Sequence, residues 1–345
     1  MLTEVPFTFS LEIIQNLSFV TEFVLLRLRQ NPTMQKIIFV VFLFIYIATV
    51  RGHLLIVVTI SSSPALRGSP MYFFLAFLSF LDACFSSVIV PKMIVDSLLW
   101  RKTISFKGCM TQLFVEHFFA GMEVIVLSAM AYDCYVVIYK PLHYSSIMNH
   151  RLCALLMVVA WTGGFVHSMI QILFIFQLPF CGPNIIEHFK CDLYPLLELA
   201  CTDSHIFGLL VVTNSGFFGI LIFSLLLVSY GVILLSLRTH SSEGQHKALS
   251  ICGFHITVFI LFFVLVIFIY LRPPTIFPED KVFALFYTII APMFNHLIYT
   301  LRNAEMKNTW KNLVSNFVFK GSIPLRNKLF SKEVFRVATI FFLIQ

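Results

Sequence analysis

Met71 to Val90 reads MYFFLAFLSFLDACFSSVIV, twenty residues with one charge, Asp82. At ~1.5 Å of rise per residue, a helix of roughly 20 residues crosses the ~30 Å hydrocarbon core of a bilayer. Six further stretches share this character: Ile37–Ile60, Leu113–Tyr132, Leu152–Leu178, Ile206–Leu235, Ser250–Leu271 and Val282–Leu301. Lipid offers the backbone no hydrogen-bond partner, so each run is expected to be a helix. A membrane barrel would need short segments alternating with period two, and none is present. The composition agrees. Of 345 residues, 59% are hydrophobic, 12% are charged and 40 are Phe. A soluble chain carries about 25% charged residues. A soluble enzyme, a nucleic-acid binder and a disordered chain are therefore disfavoured together, and the net charge of +7 suits a membrane face better than nucleic acid. The expected fold class is an all-α membrane protein, a seven-transmembrane helix bundle in the lipid bilayer.

The bundle divides the chain into an amino-terminal segment (1–36), a membrane domain (37–301) and a tail (302–345) that starts with a short membrane-surface helix. Glu4, Glu12 and Glu22 lie in the first segment with no basic leader ahead of an apolar stretch, so no cleavable signal peptide is expected. The short loops do not sort by charge; only the basic tail, Arg302 to Arg336, favours a carboxyl terminus inside. Asn16-Leu17-Ser18 is a glycosylation sequon before the first run, and Cys109, Cys181, Cys191 and Cys201 gather at one end of the runs. Clustered loop cysteines fit disulfides in an oxidising compartment, which puts the amino terminus outside. A metal site is the rival reading, and these four lack the short Cys-x-x-Cys spacing of zinc ligands. The stretch from Pro179 to His205 is the one long connection, and long loops are usually functional.

Short motifs then recur in order. Pro70-Met71-Tyr72-Phe73-Phe74-Leu75 is followed by Leu78-Ser79-Phe80-Leu81-Asp82. Met130-Ala131-Tyr132-Asp133-Cys134-Tyr135 runs into Lys140-Pro141-Leu142-His143-Tyr144. Ser229-Tyr230, Lys247-Ala248-Leu249-Ser250-Ile251-Cys252-Gly253-Phe254-His255 and Pro292-Met293-Phe294-Asn295-His296-Leu297-Ile298-Tyr299 complete the set. Together, from about Thr21 to Asn312, they resemble a mammalian olfactory receptor, a rhodopsin-like G-protein-coupled receptor. The resemblance implies disulfides Cys109–Cys191 and Cys181–Cys201, glycosylation at Asn16, and residence in the plasma membrane of sensory cilia. It implies two partners, a small odorant and a heterotrimeric G protein of the stimulatory olfactory type, with cyclic AMP as the output. Coupling and switching would fall to Asp133, Cys134, Tyr135, Tyr230, Lys247, His255, Asn295 and Tyr299.

Ionisable groups inside a membrane cost ~2.5 kcal/mol or more and mark functional sites by default. Glu116 and His117 in the third run are such groups, with the plainer alternative that they only pin helices together. Glu116, Ala120 and Glu123 share one stripe of that helix; His117, Gly121 and Val124 share the next. Ala120 and Gly121 are expected to leave room for a small ligand. By resemblance Asn214, Phe218, Phe263, Val266, Tyr270 and Thr288 face them. Apolar walls with few polar groups suit a small, mostly apolar, volatile ligand. Asp82 and Glu123 are two further buried carboxylates. Either one is protonated or a cation lies between them, and the resemblance implies a sodium ion. No other cofactor and no metal is expected.

The chain departs from its relatives at working positions. Cys134 stands where the family usually has Arg, so Asp133 is expected to lose its partner. His296 replaces the usual Pro, which restores a backbone N–H and is expected to straighten the helix. His53 replaces Asn, next to Gly52, and Arg51 lies mid-membrane with no assignable role. Tyr139, Ile251 and Phe254 also differ from the usual residues. His53, Asp82, Asn295 and His296 are expected to converge, as a hydrogen-bonded polar cluster or, as its rival, a transition-metal site. Weak coupling is the expected consequence of Cys134 and His296. A channel or transporter would need a polar stripe or internal repeats. A light receptor needs a Lys within the seventh run, and an enzyme needs a motif such as His-Glu-x-x-His or Gly-x-Ser-x-Gly; none is found. The apolar end Val334–Gln345 is too short to span.

Overall fold

A computed structural model describes residues 20–25, 32–98, 102–180, 184–201, single positions between 208 and 231, 280–302, and positions 306, 308 and 309. Four long helices lead: α1 (Pro32–Ser62), α2 (Pro70–Leu98), α3 (Phe106–Tyr139) and α4 (His150–Phe176). Each is apolar and long enough to cross a membrane. They outrun the apolar runs because polar flanks supply their caps. The Ser105 hydroxyl accepts from Gly108 N at the start of α3, and the Asn149 side chain accepts from Leu152 N at the start of α4 (2.9 Å).

The helices differ in what they bury. α2 and α3 are enclosed over most of their apolar length, with Leu78, Leu81, Phe85, Met122 and Met130 in one continuous core. α1 and α4 turn Phe44, Val58, Leu155, Trp161 and Phe165 outward. Against lipid such exposure carries no hydrophobic penalty, and helices associate through close packing. The α3–α4 contact is of that kind: a Cβ added to Gly164 would meet Met122 Cγ and Phe118 O at 2.7 Å. Arg51 lies on the exposed face of α1, where a long side chain can reach toward the membrane interface.

After α5 (Leu193–Glu198), a short helix in the long loop, the seventh run is a helix in three pieces: α6 (Asp280–Leu285), a π-helical turn (Phe286–Ile290) and α7 (Ala291–Arg302). His296 lies within regular α-helix, and the irregular turn falls upstream of it. Ala291 N–H reaches back to Phe286 O, one residue farther than in an α-helix. The wide turn ends just before Pro292, whose ring would crowd the carbonyl one turn back and which has no N–H to offer. Of the fifth run only single helical positions are described, and the sixth lies outside the described residues.

A small sheet caps the end where α3 begins. β1 (Glu22–Leu25) runs antiparallel to β2 (Thr103–Ser105) and parallel to β3 (Ile185–Ile186), with Phe23 opposite Ile104 and Val24 opposite Ile185. Phe23, fully buried, packs edge-on to Phe180 and against Phe106, and forms a second core with Leu113, Ile175 and Leu196. The sheet thereby fixes the long loop over the start of α3.

Candidate functional site

The loop is tied to α3 covalently and by charge. Cys109 and Cys191 form a disulfide, with Cα atoms 5.5 Å apart. Gln112 Oε1 accepts from Cys191 N (3.1 Å). Glu116 lies two turns along α3 from Cys109 and so on the same face. Lys190, next to the bonded cysteine, is thereby carried over that face: its ammonium pairs with Glu116 Oε1 and, at 3.0 Å, with Asp192 Oδ2. Lys190 is 5% exposed. Burial works against its charge, but Asp192 and Glu116 hold its pKa above the ordinary lysine value. Asp192 responds in kind: burial would raise its pKa, yet the Lys190 ammonium holds it at about 2. His188, buried beside this pair, is lowered to about 4 by desolvation. Cys201 is disulfide-bonded, while its expected partner Cys181 lies outside the described residues, as does Asn16.

Below the loop, His117 Nδ1 bonds to Leu113 O (2.9 Å). A carbonyl only accepts, so Nδ1 carries a proton, and in the neutral ring Nε2 is left as an acceptor. The His117 ring lies 6.0 Å from that of His167 on α4, and Asn214 Nδ2 is 3.4 Å from His167 Nδ1. His117, His167 and Asn214 thus form one polar wall. Ala120 is half-buried. Gly121 corrects an expectation: the space it leaves is filled by α4, because a Cβ there would fall 3.1 Å from Gly164 Cα. Val124 is buried and its carbonyl accepts from Ser128. Thr288 is fully buried and its hydroxyl is already committed to Ala284 O (2.7 Å). Phe218, Phe263, Val266 and Tyr270 lie outside the described residues.

Deeper in the bundle the expected polar cluster forms. Asn295 Nδ2 donates to Asp82 Oδ2 (3.1 Å), and His53 Nε2 lies 3.6 Å from the same oxygen and 2.9 Å from Pro292 O. The rings of His53 and His296 meet edge-on at 5.4 Å. Among the described residues no three ligating side chains are placed to hold a metal ion, so the transition-metal rival lacks a geometry. Glu123 is buried within electrostatic reach of Asp82. Asp82 Oδ1 is a buried acceptor with no hydrogen bond among the described residues, and a free carboxylate oxygen fits a small hard cation.

At the opposite end of α3, Asp133 is not partnerless as expected. The Tyr144 hydroxyl donates to its Oδ1 (2.9 Å), and burial together with the Asp133 charge pushes the Tyr144 pKa up. The phenol eleven residues on gives Asp133 a hydrogen-bond donor although Cys134, not an arginine, follows it. Cys134 is buried and Tyr135 half-buried. Tyr230, Lys247 and His255 lie outside the described residues, as does the side chain of Tyr299. Lys190, His167 and Tyr144 were missing from the site residues read in the sequence. For Lys190 the signal was present: it adjoins the cysteine expected to bond to Cys109.

Apolar spans, a disulfide-tethered loop and ionisable groups buried beneath it define a multi-pass membrane protein. The sequence model described as "Olfactory receptor" matches residues 42–316. The chain is 59% identical over 295 residues to human olfactory receptor 4A5, covering 86% of this chain and 93% of that one. Human olfactory receptor 4A47 is 57% identical over 85% of this chain and 95% of its own length. Mouse olfactory receptor 4B13 is 54% identical, with 85% and 97% covered. The chain belongs to the olfactory receptor family, the odorant-sensing G-protein-coupled receptors, whose members are receptors rather than enzymes.

Proposed function

We propose that the chain is a seven-helix odorant receptor of the plasma membrane of sensory cilia, with its amino terminus outside and glycosylated at Asn16. It binds small, mostly apolar volatile ligands between Glu116, His117, Ala120, Asn214 and the facing residues of the fifth to seventh runs. Binding activates a stimulatory, olfactory-type G protein and raises cyclic AMP. The observation that carries this reading is the docking of Cys191 and Lys190 onto Cys109 and Glu116, which makes the long loop a roof over buried polar groups. A second bond, Cys181–Cys201, would stiffen that roof. A sodium ion at Asp82 and Glu123 would satisfy the orphaned Asp82 oxygen. A weakly signalling receptor is the second reading, favoured by Cys134 and by the Tyr144 hydroxyl bound to Asp133. The test is a cyclic-AMP assay of the full chain against an odorant panel, with surface expression measured separately. A dose-dependent response from surface-expressed protein is expected; silence from well-expressed, coupling-restored protein would overturn the odorant reading.

A further inference from the structure

Resting on the odorant reading above, we infer that the ligand carries a hydrogen-bond donor, a hydroxyl or an amine N–H, and gives it to Glu116 Oε2. Glu116 is 6% exposed, and its Oε1 is taken by the Lys190 ammonium. Its Oε2 is buried and has no hydrogen bond among the described residues. A buried acceptor left unmade is costly, and native structures fill nearly all of them. An ion-paired carboxylate can only accept, so whatever fills this position must donate.

The surroundings ask for the same chemistry. His117, the next residue, has its Nδ1 proton committed to Leu113 O, which leaves Nε2 as a second acceptor. The Lys190 ammonium, the donor paired with Glu116 among the described residues, already serves two carboxylates. Lys190, Glu116 and Asp192 together carry one net negative charge, which disfavours an anionic ligand. Ala120, one turn farther along the Glu116 stripe, adds no polar atom. A water at Oε2 does not change the requirement. A ligand that displaces it must reproduce its donated hydrogen bond or lose affinity. Ethers, ketones, aldehydes and carboxylates present acceptors alone and would set acceptor against acceptor.

The experiment measures thermal stabilisation of the purified full chain by matched ligand sets, a readout independent of coupling. Hexanol, octanol, cyclohexylmethanol and benzyl alcohol are each compared with the amine, methyl ether and aldehyde of the same skeleton. Within a stabilising skeleton, the alcohol or amine is expected to act at concentrations at least about tenfold lower than the ether or aldehyde. An amine ahead of the alcohol points to the net negative charge, and the reverse to the neutral hydroxyl; both support a donor. Glu116→Gln, whose amide also donates, should narrow the gap. Should that variant fail to fold, His117→Phe removes the second acceptor and should narrow it as well. An ether or aldehyde that stabilises as well as its alcohol overturns the inference and leaves the odorant reading standing. Stabilisation by no member of any set overturns both.

Discussion

The imidazole of His296 occupies the space that a side chain at Gly52 would need: a Cβ on Gly52 would fall 2.2 Å from His296 Cδ2 and 2.6 Å from Nε2. The family usually has Pro at position 296, so this chain accommodates a larger, polar ring against the bare backbone of α1. That ring also meets His53 edge-on, and His53 is in turn bonded to Pro292 O. Helices α1 and α7 are thereby joined through residues that replace the usual ones.

Gly52→Ala is therefore expected to overpack the α1–α7 contact. Its cost should be about 1–3 kcal/mol, since the ring must shift or leave its rotamer. In a His296→Pro background the same change should cost much less. Thermal denaturation of the four proteins of this cycle measures the coupling, and additive effects would show that the two positions do not share the space.

Tyr144→Phe removes the hydroxyl from Asp133 and leaves a buried carboxylate oxygen unmet. A loss of about 1–3 kcal/mol is expected. With Cys134→Arg also present, the arginine should supply a replacement donor and the loss should shrink. Melting temperatures of the paired variants check this, and an unchanged loss would show that Arg cannot reach the carboxylate.

The two glycines at the α3–α4 contact should not be equally tolerant. A Cβ at Gly164 would strike Phe118 O, backbone that cannot turn aside, at 2.7 Å, whereas at Gly121 its nearest neighbour is Gly164 Cα at 3.1 Å. Gly164→Ala is expected to destabilise by about 1–3 kcal/mol, and Gly121→Ala by less. Surface expression and melting temperature should follow that order.

The docked loop should respond to acid in a defined window. Burial lowers His188 to about 4 from the ordinary value of 6.5. The unfolded loop therefore binds a proton that the folded loop refuses, and stability falls as pH drops from about 6.5 toward 4. Asp192, held at about 2 by Lys190, keeps its contribution through that window and loses it only as pH falls further toward 2. Lys190, raised, loses its contribution only as pH rises past the ordinary lysine value. Hydrogen exchange of residues 184–201 against pH is expected to show loosening below about 6.5, and His188→Phe should flatten it.

The apolar runs made the first four helices legible, because about twenty mostly apolar residues leave the backbone no other solution in lipid. The convergence of His53, Asp82, Asn295 and His296 was legible only through the resemblance, since nothing in spacing brings residues more than two hundred apart together. Lys190 was absent from the site residues read in the sequence because a lysine in a loop normally faces solvent. Its burial depends on two contacts made at once, the disulfide beside it and the carboxylate two turns down α3. Gly121 was misread because a missing side chain looks the same whether a ligand or a helix fills the gap. The wide turn at Phe286–Ile290 was not read in the sequence, where attention fell on His296 farther along.

In the weakly signalling reading proposed above, the receptor fold and roofed site persist while Cys134 and His296 weaken signalling at the far end of the bundle. The most direct measurement compares cyclic-AMP responses to one activating odorant in the native chain and in its Cys134→Arg, His296→Pro form, at matched surface expression. The double reversion is expected to raise the maximal response without abolishing ligand stabilisation. Equal responses from the two proteins would contradict the claim.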